Sequence, residues 1–387
     1  MTVARAGVAL HLWTTSTKMD PNILKLAMGS GGPSGPDYEL YAWGANGSGQ
    51  LGLGNTTNCS SPIQVGALTT WSNVAGGGSH TIATKTDGTL WAWGLNNFGA
   101  LGQGNTTRFS SPVQVGSLTT WSNIAAGRYF TIATKTDGTL WSWGYNYNGE
   151  LGLGNLTSVS SPVQVGALTT WSNVACRGFH AIAIKTDGTL WTWGRNQYGQ
   201  LGLGDTTNRS SPVQIGALTT WSNIAAGTHH TIAMKTDGTL WTWGRNGQGQ
   251  LGLGDVTNRS SPVQVGALTT WSKVAGGNYH TIATKTNGTL WTWGGNYNGR
   301  LGLNDTTYRS SPVQVGSLTT WDKIAGGSSH TIATKTDGTL WTWGRNNSGQ
   351  LGLGDTTNRS SPVQVGSLTT WNNIAGANNF TIATTEE

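Results

Sequence analysis

The sequence predicts an all-β fold, a closed seven-bladed β-propeller of four-stranded antiparallel blades preceded by a short N-terminal arm. Three observations carry this. A unit of fifty residues recurs seven times without an insertion, so that the tryptophan of a Trp-Gly pair falls at Trp43, Trp93, Trp143, Trp193, Trp243, Trp293 and Trp343, and a strict period of this length marks solenoids, propellers and arrays. Each unit holds four short strand-like runs separated by turn residues. Finally, the array opens on a strand (ELYAW, 39–43) without a hairpin partner and ends on another (FTIATT, 380–385) that also lacks one. Pairing the two closes a ring and removes two free edges.

Composition agrees. The period assigns 38–387 to one propeller and leaves 1–37 as an arm with a Gly/Pro/Ser linker. Only 10% of the 387 residues are charged, while Gly (59) and Trp (21) are abundant, which describes a turn-rich β protein with a weakly charged surface. No run approaches the roughly 18 consecutive apolar residues of a membrane span, so no membrane insertion is expected. The net charge of +6 is mild for this length and does not point to nucleic acid. Cys59 and Cys176 sit at different positions of different repeats and read as two unpaired thiols. Residues 8–13 are mildly apolar after Arg5, but His11 interrupts them and no signal peptide is expected, which leaves the localisation open. Asp20 and Pro21 suit the N-cap and first position of a short helix over 21–27. Ile23, Leu24 and Leu26 leave two readings of the arm open, an unstructured tail or a segment that docks on a partner.

Within the unit, residues 190–193 form a strand with Trp191 and Trp193 on one face and Leu190 and Thr192 on the other. Residues 212–215 form the next, with Pro212 at its first position, where a missing N–H is tolerated. Residues 221–225 and 230–235 supply the other two. Thr-Asp-Gly-Thr joins the last strand of one unit to the first of the next, and Asp-Gly suits a type I′ turn with φ > 0 at both residues, with Asn287 replacing Asp in one copy. The repeated tryptophans are expected to pack blade on blade, each burying roughly 150–250 Å².

The elements Trp-Gly-x-Asn, Gly-Gln-Leu-Gly-x-Gly, Ser-Pro-x-Gln-Val, Val/Ile-Ala-x-Gly and His-Thr-Ile-Ala followed by Asp-Gly resemble the repeat of the regulator of chromosome condensation family, over all of 38–387. The resemblance implies a seven-bladed propeller. Its members include nucleotide-exchange factors, chromatin binders, a plant UV-B receptor and a bacterial β-lactamase inhibitor, so it implies less about activity. No blade here carries an inserted wedge, and 227–231 and 277–281 contain no tryptophan.

No carboxylate pair or nucleophile beside a base breaks the repeat, so no enzyme, catalytic residue or cofactor is expected. His80, His180, His230, His280 and His330 invite a metal ring, but Phe130 and Phe380 occupy the same place in the other two copies, so the position reads as packing or a single hydrogen bond and no metal is expected.

Differences between the copies fall in two connections (195, 197, 198 and 206–209; 227–229), whereas Gly-Ala/Ser-Leu-Thr-Thr and Thr-Asp-Gly-Thr hardly change. Successive connections of a meander alternate between the ends of the sheet, so the variable ones share one face. That face holds eleven of the twelve arginines. Arg209, Arg259, Arg309 and Arg359 each follow an Asp by four residues and read as local pairs. The candidate partner-binding residues are Arg108, Arg128, Tyr145, Tyr147, Arg177, Arg195, Tyr198, Arg245, Tyr297, Arg300 and Arg345, set against Glu150, with Phe98, Tyr129, Phe179 and Tyr279 among them. Arginine with aromatics suits an interface hot spot, and also an anionic glycan or cell surface. Two functions follow. The sparse charge and near-identical blades favour a non-catalytic recognition propeller, a structural or surface-displayed part of a larger assembly such as a virion appendage with a role in adhesion. The alternative is an intracellular regulator, an exchange factor for a small GTPase or a chromatin binder.

Overall fold

The computed structural model describes residues 38–386. The arm and linker of 1–37, with the helix expected over 21–27, lie outside the described residues. In the blade of 171–214, β1 (Trp171–Arg177), β2 (His180–Lys185), β3 (Leu190–Gly194) and β4 (Arg209–Gln214) lie side by side in that order, all antiparallel. Five other blades repeat it. The seventh takes β1 and β2 from Trp371–Gly376 and Phe380–Glu386, and β3 and β4 from Tyr38–Gly44 and Cys59–Gln64. Its central register runs from Tyr38↔Glu386 to Gly44↔Phe380, so the two ends of the array supply each other's missing strand. Every β1 contacts the β1 of its neighbours, which places this strand around the axis and β4 at the rim.

The core lies between blades. Phe130, Ile132 and Leu140 of one blade pack on Trp171, Val174, Ala183 and Trp193 of the next, and six further clusters repeat this. The tryptophans do what the period implied. Trp193 is fully buried, meets the edge of Trp171 at 6.1 Å, and donates its indole N–H to the Glu150 carbonyl of the preceding blade at 2.9 Å. Trp191 is half-buried and lies under the Lys185 ammonium, whose Nζ is 3.6 Å from the ring centroid, a cation–π contact that also shields the indole from water.

Two local expectations are corrected. The turn between β2 and β3 is not type I′: among the described residues the only non-glycine with positive φ is Asn304, so Asp187 does not adopt it. Instead the Gly188 N–H donates to Lys185 O at 2.9 Å and the Lys185 N–H to Thr189 O at 3.1 Å, a type I turn followed by a left-handed glycine (φ 76°). The Asp187 carboxylate accepts from the Thr189 N–H and hydroxyl at 2.9 and 2.6 Å. Local side-chain bonding of this kind rewards Asp, or Asn287, without a left-handed backbone. The second correction concerns Pro212, which lies inside β4 rather than at its start. This is the outermost strand of its sheet, with no further strand beside it, and its pairing to β3 is interrupted by a register shift between Thr192 and Gly194, so no ladder hydrogen bond needs the missing N–H.

Candidate functional site

The β3–β4 connection owes its shape to its constant residues. In the copy at 194–209, Asn196 is fully buried, its Oδ1 accepts the Leu201 N–H at 2.9 Å, and its Nδ2 donates to Asp205 O at 3.0 Å. Gln200 Oε1 accepts the Tyr198 N–H at 2.9 Å. Asp205 accepts the Thr207 N–H and pairs with Arg209 at 2.6 Å, and the Thr207 bond leads the effects that hold its carboxyl below the usual range. The same pair recurs as Asp255–Arg259, Asp305–Arg309 and Asp355–Arg359, each at 2.5 Å, as expected from the spacing. In the copy of 301–310 the left-handed glycine is replaced by Asn304 (φ 65°), whose N–H still reaches Ser360 O at 2.9 Å; asparagine tolerates that conformation best among side chains. Residues 195, 197 and 198 project from this frame.

Those residues meet the β1–β2 turns of adjacent blades and form a continuous arc. Tyr145 lies 5.0 Å from Phe98, 4.7 Å from Tyr147 and 5.6 Å from Phe179. Arg128 stands over Tyr129 and Phe179 at 5.4 and 5.6 Å, and Arg195 over Phe179 at 5.5 Å. Arg245 then bridges Tyr198 (5.0 Å) and Tyr279 (5.3 Å), with His229 5.2 Å from Tyr198. The turn position carries Tyr129, Phe179, His229 and Tyr279 in four consecutive blades, but Ser79, Ser329 and Asn379 in the other three. The arc therefore covers one side of the ring. Position 229 lies in the variable turn 227–229, but the sequence of one copy does not set His229 apart from the adjacent buried His230; the signal is the run Tyr129, Phe179, His229, Tyr279 at that position. Burial first, then repulsion from Arg195, Arg245 and Arg128, pushes His229 down to about 4.

Other candidates lie elsewhere. Arg108 is exposed on its loop, and Tyr297 is 72% exposed outside the arc. Arg345 lines the mouth of the axial channel, and Arg177 lies in that mouth with Nη1 2.6 Å from the Gly326 carbonyl on the far side of the ring. Arg300 is only 4% exposed, beneath the face rather than on it, because it occupies the buried position held by Gln200 in the reference loop. Glu150 fills the same position in its own copy and is fully buried; its Oε2 accepts the Asn148 N–H, and burial raises its pKa.

The histidine ring is a packing and hydrogen-bonding device. Nε2 of His80, His180, His230, His280 and His330 lies 3.0–3.3 Å from the hydroxyl of Thr131, Thr231, Thr281, Thr331 and Thr381 of the next blade. Each of those hydroxyls donates its proton to a loop carbonyl at 2.7–2.8 Å. Nε2 must then be the protonated donor, and the ring is neutral. Where Phe130 replaces the histidine the facing residue is Ala181, so donor and acceptor are lost together, whereas Phe380 faces Thr81, whose hydroxyl still donates to the Gln50 carbonyl at 2.8 Å. No cluster of three or more metal-ligating side chains occurs among the described residues.

On the opposite face, the constant connections expose Leu68, Leu118, Leu168, Leu218, Leu268, Leu318 and Leu368 by 47–50%. Leu168, Trp171, Trp191 and Pro212 line an inter-blade hollow of about 330 Å³. Sequence reading passed over these leucines because they do not vary between copies.

A Regulator of chromosome condensation (RCC1) repeat family model matches residues 37–84, 87–134, 137–184, 187–234, 237–284, 287–334 and 337–384, and a second model of the same repeat matches six overlapping segments within 71–350. No curated protein matches the sequence. Among solved structures the chain is similar to human WBSCR16, with a TM-score of 0.81 and 21% identity over 90% of this chain and 99% of that one. It is also similar to yeast RCC1 (Prp20) bound to Kap60 (TM-score 0.82, 20% identity, 92% and 90% coverage). Prp20p from Saccharomyces cerevisiae, studied with its binding to Gsp1p and histones, gives 0.81 at 21% identity, with 92% of each chain covered. At these identities the structural likeness speaks for the fold alone. The seven matched repeats, which together span nearly all of the described residues, show that the chain belongs to the regulator of chromosome condensation (RCC1) repeat family.

Proposed function

We propose that this protein is a non-catalytic recognition propeller that binds a partner protein through the arginine–aromatic arc of its loop face. The observation that carries the reading is the gathering of rings and guanidinium groups on five consecutive blades, from Phe98 to Tyr279, where among the described residues Arg128, Arg195 and Arg245 take part in none of the ion pairs. Aromatic and arginine side chains on a rigid frame supply large contact area at low entropic cost. Their uncompensated charge favours an acidic patch on the partner and predicts weaker association as salt rises. Family membership supports the intracellular regulator as the setting, in preference to a surface-displayed part of an assembly such as a virion appendage. Prp20, whose structures concern Kap60, Gsp1p and histones, is a precedent for protein partners on this fold. The basic arc suits a GTPase surface better than a basic histone.

The test is a fluorescence titration of the purified protein against the small GTPases and core histones of the same organism. Saturable, salt-sensitive binding to a GTPase supports the regulator reading. Binding to none of them, with the protein instead recovered as a stoichiometric component of isolated particles, supports the surface-displayed one.

A further inference from the structure

We propose that the mouth of the axial channel on the loop face binds a divalent oxyanion, a phosphate or a phosphate-bearing group, with Arg177 at its floor. Arg177 breaks the repeat at a place where the other copies carry Gly77, Gly127, Gly227, Gly277, Gly327 and Ala377. A glycine or alanine there leaves the axis open, whereas arginine fills it. Its Nη1 donates across the ring to the carbonyls of Gly326 and Gly376, at 2.6 and 3.3 Å, which fixes the direction of the guanidinium. Carbonyl dipoles orient the group without neutralising it. Among the described residues its Nε has no hydrogen-bond partner. Arg128 and Arg345 line the same mouth from other blades, beside the polar side chains of Asn278, Ser328 and Asn378, and the lining contains no carboxylate.

Three arginines line one small cavity with no carboxylate among them, and the buried Arg177 is the one whose charge a negative group entering the cavity would answer most. The cavity holds about 250 Å³, enough for a tetrahedral oxyanion or one modified side chain and too little for a folded element. A cation is repelled and a neutral sugar leaves the charge uncompensated. Among anions, phosphate matches the planar fork of arginine in two-point hydrogen bonding and carries enough charge to answer more than one arginine. The inference rests on the channel and its three arginines; Arg128 also belongs to the arc, but a titration with phosphate involves no partner, so its failure and the failure of the partner reading are distinguishable.

Calorimetric titration of the intact protein with sodium phosphate, at an ionic strength held constant with sodium chloride, tests it. One saturable site is expected, weakened at least tenfold in Arg128→Gln/Arg345→Gln, a variant that leaves the cross-ring bonds of Arg177 in place and should keep its melting temperature. Arg177→Gln should abolish the site; if it also unfolds the ring, the double variant still decides. A parallel titration with a phosphoserine peptide separates the sources: tighter binding than inorganic phosphate identifies a partner-borne group, and equal affinity a free ion. Absence of saturable heat with both ligands, or affinity unchanged in the double variant, overturns the proposal.

Discussion

A buried imidazole that donates to a threonine already committed to a carbonyl has one workable tautomer. The five histidines face threonines, Phe130 faces Ala181, and Phe380 faces Thr81. His230→Phe alone strands the Thr281 oxygen, and adding Thr281→Ala recreates the natural apolar pair. Urea unfolding should show the double variant less destabilised than the sum of the singles by about 0.5–1.5 kcal/mol; strict additivity would contradict the linkage. Glu150 is the other residue-scale case. Burial raises its pKa, so ionisation of the carboxyl opposes folding, and the penalty grows as pH rises through the folded-state value. Glu150→Gln, which matches Gln50, Gln200, Gln250 and Gln350, should raise stability at pH 7 by about 0.5–2 kcal/mol, read as a higher melting temperature. The sequence showed that Asp-Gly makes a turn but not which one. A type I turn with a left-handed glycine and a type I′ turn share that dipeptide, and the choice was made by the Thr189 hydrogen bonds to Asp187.

At the level of elements, closure depends on one strand. Tyr38–Gly44 pairs along its whole length with Phe380–Glu386 and also carries Cys59–Gln64 at the rim. A chain beginning at residue 45 should expose the last strand as a free edge and lose several kcal/mol of the roughly 5–15 kcal/mol typical of a folded domain, or aggregate. Size-exclusion chromatography and a melting curve check this, and an unchanged melting temperature would contradict it. The complementary ends were legible in the sequence because each lacked a hairpin partner. The interior position of Pro212 was not, since which strand forms the rim depends on how the four are ordered about the axis. The burial of Arg300 escaped for a related reason: its copy-equivalents Gln250 and Gln350 are polar and read as loop surface, yet both lie buried under the connection they brace.

For the whole molecule, seven near-identical blades make a ring whose stability should be strongly acid-sensitive. Burial lowers the five ring histidines, His80 to about 4, His180, His230 and His330 to about 3, and His280 well below its usual value. The unfolded chain takes up protons near pH 6.5 that the folded ring refuses, so stability is complete above that pH and drains away as pH falls towards 3. Each histidine contributes a slope of up to about 1.4 kcal/mol per pH unit within that window. Melting temperatures from pH 7.5 to 4 should fall steeply and reversibly, and replacing histidine–threonine pairs by phenylalanine–alanine should flatten the fall. The architecture was readable from period and turn chemistry alone. The arc was only half readable, because the side-by-side placement of Tyr145, Phe179 and Arg195 arises between blades, where no local pattern reports it. The most direct test compares the two faces. With a partner in hand, Arg195→Ala/Tyr198→Ala/Arg245→Ala should weaken binding by ten- to a hundredfold, about 1.4–2.8 kcal/mol, with the melting temperature unchanged, while Leu168→Ser/Leu218→Ser on the opposite face should bind as the parent does. Full binding by the arc variant, with loss only in the leucine variant, would contradict the account.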